Sequence, residues 1–93
     1  MEKQEILRAI VEAIHSIEIT SGQPPSNIGM ESVPIHDLRN FDSVRGVEVT
    51  TEISIQLGIS IDLKENLFVS RDGRRAIKMG EIVERVQSLI EEN

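Results

Sequence analysis

The chain of 93 residues has room for one domain of modest size, and we expect it to span residues 1–93. It has no cysteine, which excludes a disulfide scaffold, a thiol nucleophile and a cysteine-ligated zinc site. A net charge of −6 and only two aromatic residues disfavour nucleic acid as a partner. No apolar run is long enough to predict a membrane span. We therefore expect a monomeric protein of the cytoplasm.

No set of catalytic residues is visible in the sequence. His15 and His36 are the only histidines, and no nucleophile, phosphate-binding or metal-binding motif accompanies them. His15 falls inside a helical pattern, where we expect a partly exposed histidine on a helix face. We therefore predict no catalytic residue, no metal ligand and no enzymatic activity of the chain itself.

The first 40 residues predict a helix followed by a long loop. Apolar residues recur at steps of three and four through residues 2–19, beginning with Ile6 and Ile10, and form one broad stripe. Gly22 and the prolines after it end this helix. Residues 20–40 are rich in glycine, proline and serine, and a loop of this length tends to be functional or mobile.

The middle of the chain supports two incompatible predictions. Apolar and polar residues alternate through residues 47–61, which on pattern alone slightly favours a β-strand. Wound as a helix, residues 43–57 have two opposite apolar faces, and Gly58 supplies the left-handed residue that ends the helix. The inner face then holds Val49, Ile53 and Leu57, and the outer face holds Val44, Val47, Thr51 and Ile55.

The last third of the chain contains a turn and a second clear helix. Asp72-Gly73 is a good two-residue turn, so a small hairpin over residues 68–77 is possible. Residues 80–91 return to helical spacing. The pattern of elements leaves either an all-α bundle or a small α+β domain.

The most specific motif lies around Ser43. The sequence Asp-Ser-Val at residues 42–44, followed by Val-Glu-Val at residues 47–49, resembles the prosthetic-group site of the acyl carrier protein family. The usual form of that site is Leu-Gly-x-Asp-Ser-Leu before an acidic helix. The preceding apolar helix, the proline-containing loop and the final amphipathic helix extend the resemblance to nearly the whole chain, except residues 62–76.

The resemblance implies an all-α, four-helix bundle with a long loop between its first and second helices. It implies 4′-phosphopantetheine, derived from coenzyme A, attached to Ser43. The arm would carry acyl or related intermediates as thioesters for dedicated fatty-acid, lipid or secondary-metabolite enzymes. Asp42 would be recognised by the basic surface of a phosphopantetheinyl transferase. Basic surfaces of partner enzymes would meet Val44, Val47, Glu48, Thr51, Glu52 and Ile55. An acyl pocket would be lined by Val49, Ile53, Leu57, Ile61 and Ile77.

The chain departs from the family pattern in several places. Asn40-Phe41 replaces the glycine-containing lead-in, and Val44 stands where leucine is usual. Arg45-Gly46 occupies a place that is usually acidic and helix-favouring, and glycine inside a helix costs up to about 1 kcal/mol relative to alanine. The final helix begins without a threonine-type cap. These departures indicate a specialised carrier that serves a dedicated set of enzymes.

The loop over residues 62–76 is several residues longer than is usual in that family, and residues 62–79 carry a net charge of +2 in an otherwise acidic chain. We expect either a solvated turn or an interaction epitope there. Its basic cluster consists of Arg71, Arg74, Arg75 and Lys78.

Three alternatives to an acyl carrier stay open at the level of sequence. The chain could be a carrier-like fold that is never modified and works as a protein interaction module. It could carry amino acids or peptides rather than acyl chains. It could also be a small α+β binding domain in which residues 47–61 form a strand.

Overall fold

The computed structural model describes residues 1–62 and 64–92, and it confirms the prediction of an all-α fold with four helices. Within these residues there is no β-strand, only an isolated antiparallel bridge between Val69 and Ala76. The helices are α1 (Lys3–Thr20), α2 (Pro34–Asp37), α3 (Ser43–Leu57) and α4 (Met79–Glu92).

α1 is the helix against which both other long helices pack. Its predicted stripe is buried, since Ile6, Ile10 and Ile14 have no exposed surface. At its start, the backbone N–H of Glu2 donates to the Glu5 carboxylate at 3.1 Å, which satisfies one of the N–H groups at the helix start. Each fully buried isoleucine contributes about 1.5–3 kcal/mol relative to an exposed one, so this stripe is a main source of stability.

α3 shows that the strand prediction for residues 47–61 is wrong. The helix begins after Asp42, whose side chain accepts a hydrogen bond from the Arg45 N–H, and it ends at Gly58 in the left-handed conformation with φ of 64°. Val49 and Ile53 are fully buried on its inner face. The helix is favoured over a strand because it places these two side chains in the core beside α1 and has a cap at each end.

A one-turn helix interrupts the loop predicted over residues 20–40. Pro34 occupies the first turn of α2, where its fixed φ suits a helix and its missing N–H costs nothing. The Asp37 carboxylate accepts a hydrogen bond from the Val33 N–H at 2.7 Å and closes the turn. The helix expected to be second in the chain is therefore third.

The start of α4 is held by main-chain atoms of the preceding loop. The N–H of Met79 donates to the Ser32 carbonyl at 2.8 Å, and the N–H of Gly80 donates to the Met30 carbonyl at 2.9 Å. These bonds satisfy N–H groups that have no partner within the helix. They account for a helix start that has no threonine cap.

The segment between α3 and α4 lies against both helices. The Leu67 N–H donates to Thr50 Oγ1 on α3 at 3.1 Å, while the Leu67 carbonyl accepts from Arg85 Nη1 on α4 at 3.3 Å. Arg85 also donates to the Val69 carbonyl at 2.5 Å and pairs with Glu65 at 2.6 Å. This loop is therefore anchored at both of its flanks.

One hydrophobic core joins the three long helices with the connecting segments. It explains how a chain of this size buries enough apolar surface without disulfides. Its buried members are Ile6, Ile10, Ala13, Ile14, Phe41, Val49, Ile53, Ile59, Leu67, Phe68, Ile77, Met79, Ile82, Val83 and Val86.

Candidate functional site

Ser43 is the first residue of α3, and it is exposed to solvent. The preceding Asp42 is the N-cap: its backbone is extended and its Oδ1 accepts from the Arg45 N–H at 2.9 Å. A helix N-terminus carries partial positive charge and backbone N–H groups that favour an anion. An exposed serine therefore stands at a helix N-terminus whose Arg45 N–H is already bonded to the Asp42 carboxylate.

The approach to Ser43 is fixed by a left-handed residue and a buried ring. Asn40 has φ of 58°, a conformation that asparagine tolerates better than most non-glycine residues. Phe41 then enters the core, where its ring meets Phe68 edge to face with centroids 5.0 Å apart. The chain emerges again at Asp42, so Ser43 lies two residues after a buried anchor.

Gly46 makes room for a side chain from the loop between α3 and α4. A Cβ built on Gly46 would lie 2.5 Å from Asn66 Oδ1 and 2.8 Å from Asn66 Nδ2. Asn66 Nδ2 donates to the Ser43 carbonyl at 3.0 Å, and Oδ1 accepts from the Phe68 N–H at 2.9 Å. Asn66 was not predicted from the sequence, and the one available signal was a glycine inside a helical pattern, which can have a packing reason.

Thr50 is a second buried link between α3 and the same loop. Its Oγ1 donates to the Gly46 carbonyl at 2.8 Å and accepts from the Leu67 N–H at 3.1 Å. Residues 66–67 are therefore bonded to the first two turns of α3. This contact was not predicted from the sequence.

Arg45 lies on the side of α3 that faces the end of α1. Its guanidinium donates to Gln23 Oε1 at 3.1 Å and to Ser21 Oγ at 3.2 Å. Gln23 in turn donates to the Arg39 carbonyl at 3.2 Å. Arg45 thus ties the loop after α1 to the start of α3.

The outer face of α3 contains two strongly exposed apolar side chains. Val44 is 66% exposed and Ile55 is 70% exposed. Glu48 is exposed as well, and the half-buried Glu52 accepts from Gln56 Nε2 at 3.3 Å. Val47 and Thr51 are half-buried between them. The face predicted to meet partners is therefore apolar with an acidic component.

The residues predicted to line an acyl pocket belong to one core but not to one cleft. Val49, Ile53 and Ile77 are buried, and Leu57 and Ile61 are half-buried against the same core. Ile61 lines a surface cleft of about 280 Å³ between the loop and α4, and Ile77 lines a different cleft of about 310 Å³. Neither cleft is lined by Val49 or Ile53.

Half of the basic cluster is engaged in ion pairs. Arg75 lies 3.4 Å from Glu81, and Lys78 lies 3.3 Å from Glu31, whereas Arg71 and Arg74 are exposed on the turn. The possible hairpin here amounts to the single bridge described above, supported by a 2.7 Å bond from the Ser70 N–H to the Arg75 carbonyl.

Asp72 sits within the turn that carries the basic cluster. The Ser70 hydroxyl donates to its carboxylate at 2.6 Å and the Arg74 N–H donates to it at 3.0 Å. These hydrogen bonds, followed by the charge of Arg75, hold the pKa of Asp72 below its usual value. The turn therefore keeps an ionised carboxylate among its arginines.

The histidines lie in separate surroundings. His15 is half-buried, and its Nε2 donates to the Ser26 carbonyl at 2.8 Å, while His36 is exposed in α2. The described residues include no group of three or more acidic or histidine side chains that could hold a metal ion.

None of the described helices is both long enough and apolar enough to cross a membrane. A comparison of the chain with protein-family models, with curated proteins and with solved structures finds no significant match in any of the three.

Proposed function

We propose that the protein is an acyl carrier, modified with 4′-phosphopantetheine at Ser43. The observation that carries the proposal is the exposed serine at the first position of α3, directly after the Asp42 cap. In the transfer, a bond forms between Ser43 Oγ and a phosphorus of coenzyme A, the pyrophosphate link breaks, and 3′,5′-ADP leaves. The serine proton passes to a base of the transferase.

Asn40 supports the register of the proposed site. In the family form Leu-Gly-x-Asp-Ser-Leu, the glycine stands three residues before the serine, which is the place of Asn40. Asn40 has φ of 58°, which glycine adopts without strain and asparagine tolerates. The glycine of the family form therefore aligns with Asn40, a position whose backbone is left-handed in this structure.

The outer face of α3 supports a role in protein contacts. Val44 and Ile55 offer exposed apolar surface, and Glu48 lies between them in the sequence. Acidic groups around such a patch steer basic partner surfaces, and salt weakens the attraction. We propose that the transferase and the acyl-processing enzymes dock here, and that the transferase recognises Asp42.

The cargo would be held by the inner face of α3. Val49, Ile53 and Ile77 are packed in a closed core, so an acyl chain has to displace neighbouring side chains to enter. Leu57 and Ile61 are only half-buried and lie nearer to solvent. We propose that the acyl chain enters the core beside Leu57 and Ile61.

The test is intact-mass measurement of the purified protein after incubation with coenzyme A, Mg²⁺ and a phosphopantetheinyl transferase. We expect one phosphopantetheinyl group per chain and none in Ser43→Ala. Ser88→Ala, in an exposed position on α4, serves as the control and is expected to gain the group. Absence of the increment with several transferases contradicts the proposal.

A second candidate is an interaction module that is never modified. The exposed Val44 and Ile55 favour it, because that patch needs no prosthetic group to bind a partner. A stable partner whose binding is unchanged in Ser43→Ala but lost in Ile55→Asp would support this candidate over the first.

A further inference from the structure

We infer that Asn66 is a positioning residue for Ser43: it holds the first turn of α3 so that the Ser43 hydroxyl meets its phosphoryl donor in a fixed orientation. The inference rests on the proposed attachment at Ser43. The two groups are linked by the 3.0 Å bond from Asn66 Nδ2 to the Ser43 carbonyl.

The fit between Asn66 and Gly46 is the first argument. A Cβ on Gly46 would come within 2.5 Å of Oδ1, 2.8 Å of Nδ2 and 3.0 Å of Cγ of Asn66. The amide therefore occupies space that any side chain at position 46 would need. Glycine is unfavourable inside a helix relative to alanine, and the Asn66 contact is what this glycine permits.

The anchoring of Asn66 itself is the second argument. Its Oδ1 accepts from the Phe68 N–H at 2.9 Å, and the next residue, Leu67, is bonded to Thr50 of α3 and to Arg85 of α4. An amide fixed in this way loses little further entropy when it bonds to Ser43.

The residues on both sides of Ser43 meet the same short segment. Phe41, two positions before Ser43, packs on Phe68, and Gly46, three positions after it, faces Asn66. Residues 66–68 thus support the lead-in and the first helical turn together. A fixed turn restricts the approach of the hydroxyl, which raises the rate of the chemical step rather than the affinity for the enzyme.

The experiment is a double-mutant cycle with Asn66→Ala, Gly46→Ala and the double variant. Each is incubated with transferase, coenzyme A and Mg²⁺, and kcat and KM are obtained from the time course of the intact mass. We expect kcat to fall about fivefold in each single variant, as for one lost hydrogen bond, with KM unchanged. The double variant should fall no further, because both changes remove the same contact.

Gly46→Ala separates positioning from stability. Alanine raises the helix propensity of α3, and the displaced atoms are the far end of the Asn66 side chain, so helix content should not fall. A purely structural role predicts normal kcat in this variant. The matched controls are Gly80→Ala, a helical glycine whose added Cβ meets the Met30 carbonyl at an ordinary 3.5 Å, and Asn27→Ala in an exposed loop.

Hydrogen exchange supplies a measurement that does not depend on modification. Within an α-helix the N–H of residue 47 pairs with the carbonyl of residue 43, the same carbonyl that Asn66 bonds. The amide of Val47 should therefore exchange faster in Asn66→Ala than in the native chain, and at the native rate in Asn27→Ala. An unchanged exchange rate of the Val47 amide in Asn66→Ala overturns the inference. A change in KM without a change in kcat overturns it too, as does a double variant whose loss of kcat is the sum of the two single effects. If the native chain is never modified, the proposed attachment fails, while the exchange data still decide whether Asn66 holds the turn.

Discussion

Phe41 and Phe68, the only two aromatic residues of the chain, pack against each other with ring centroids 5.0 Å apart and planes inclined at 61°. The contact joins the lead-in to α3 with the loop between α3 and α4. Neither residue belongs to a helix, so this pair closes the part of the core that the helices leave open.

Phe68→Ala should lower the free energy of unfolding by about 3–5 kcal/mol, because Phe68 is fully buried and its removal leaves a cavity beside Phe41. Urea denaturation followed by circular dichroism measures the change. Val44→Ala, at an exposed position, should stay within about 0.5 kcal/mol of the native protein. A similar small loss for Phe68→Ala would contradict the packing described for this loop.

Thr50→Val should destabilise the protein by about 1–3 kcal/mol. The replacement keeps the shape but leaves the buried Leu67 N–H without its acceptor. Thr51→Val is the matched control, since Thr51 Oγ1 bonds only to the Val47 carbonyl of its own helix in the described contacts. Equal effects of the two changes, measured by thermal unfolding, would mean that the loop bond adds no stability.

Glu18→Ala should destabilise the protein by about 1–3 kcal/mol. The Glu18 side chain is 2% exposed and accepts hydrogen bonds from both the N–H and the hydroxyl of Ser26, so its loss leaves two donors without their acceptor. Glu12→Ala, exposed on the same helix, is the control and should be nearly neutral. Chemical denaturation of the two variants side by side provides the comparison.

Asp42→Asn tests whether the charge of Asp42 is recognised or only its capping. Asparagine caps a helix about as well as aspartate, so stability should change by less than about 0.5 kcal/mol. We expect kcat/KM for the transferase to fall and its salt dependence to weaken, because a steering charge is lost. Unchanged kinetics would leave Asp42 with a structural role alone.

Ser70→Ala should raise the pKa of Asp72 towards its usual value, since the Ser70 hydroxyl makes the largest contribution to lowering it. The carboxyl resonance of Asp72 in an NMR titration reports this directly. Because the pKa of Asp72 is lowered in the folded chain, its ionised carboxylate stabilises the turn at neutral pH. This contribution disappears as the pH falls through the lowered pKa. A titration midpoint that is the same in both proteins would contradict the assigned cause.

Helices α1 and α4 were predictable because each has a periodic apolar stripe. Residues 2–19 and 80–91 were placed to within a residue or two at each end, and Gly58 was correctly identified as the left-handed end of α3. The alternation of β-branched residues over 47–61 favoured a strand, which was wrong. Local propensity carries no information about the α1 surface that α3 covers.

The contacts around Ser43 could not be predicted in the same way. Gly46 looked like a weak point of the helix, and its partner Asn66 lies 20 positions further along in a loop without periodicity. The position of Ser43 at a helix start was predictable from its motif. The amide that lies against this turn depends on tertiary packing alone.

The main-chain bonds from Met79 and Gly80 to the carbonyls of Ser32 and Met30 have a consequence for how the sequence can vary. These bonds use backbone atoms, so they do not depend directly on which side chains residues 30–32 carry, although Met30 also packs against the core. Inserting or deleting a single residue there would shift every carbonyl out of register. We therefore expect residues 30–32 to tolerate substitution better than insertion or deletion.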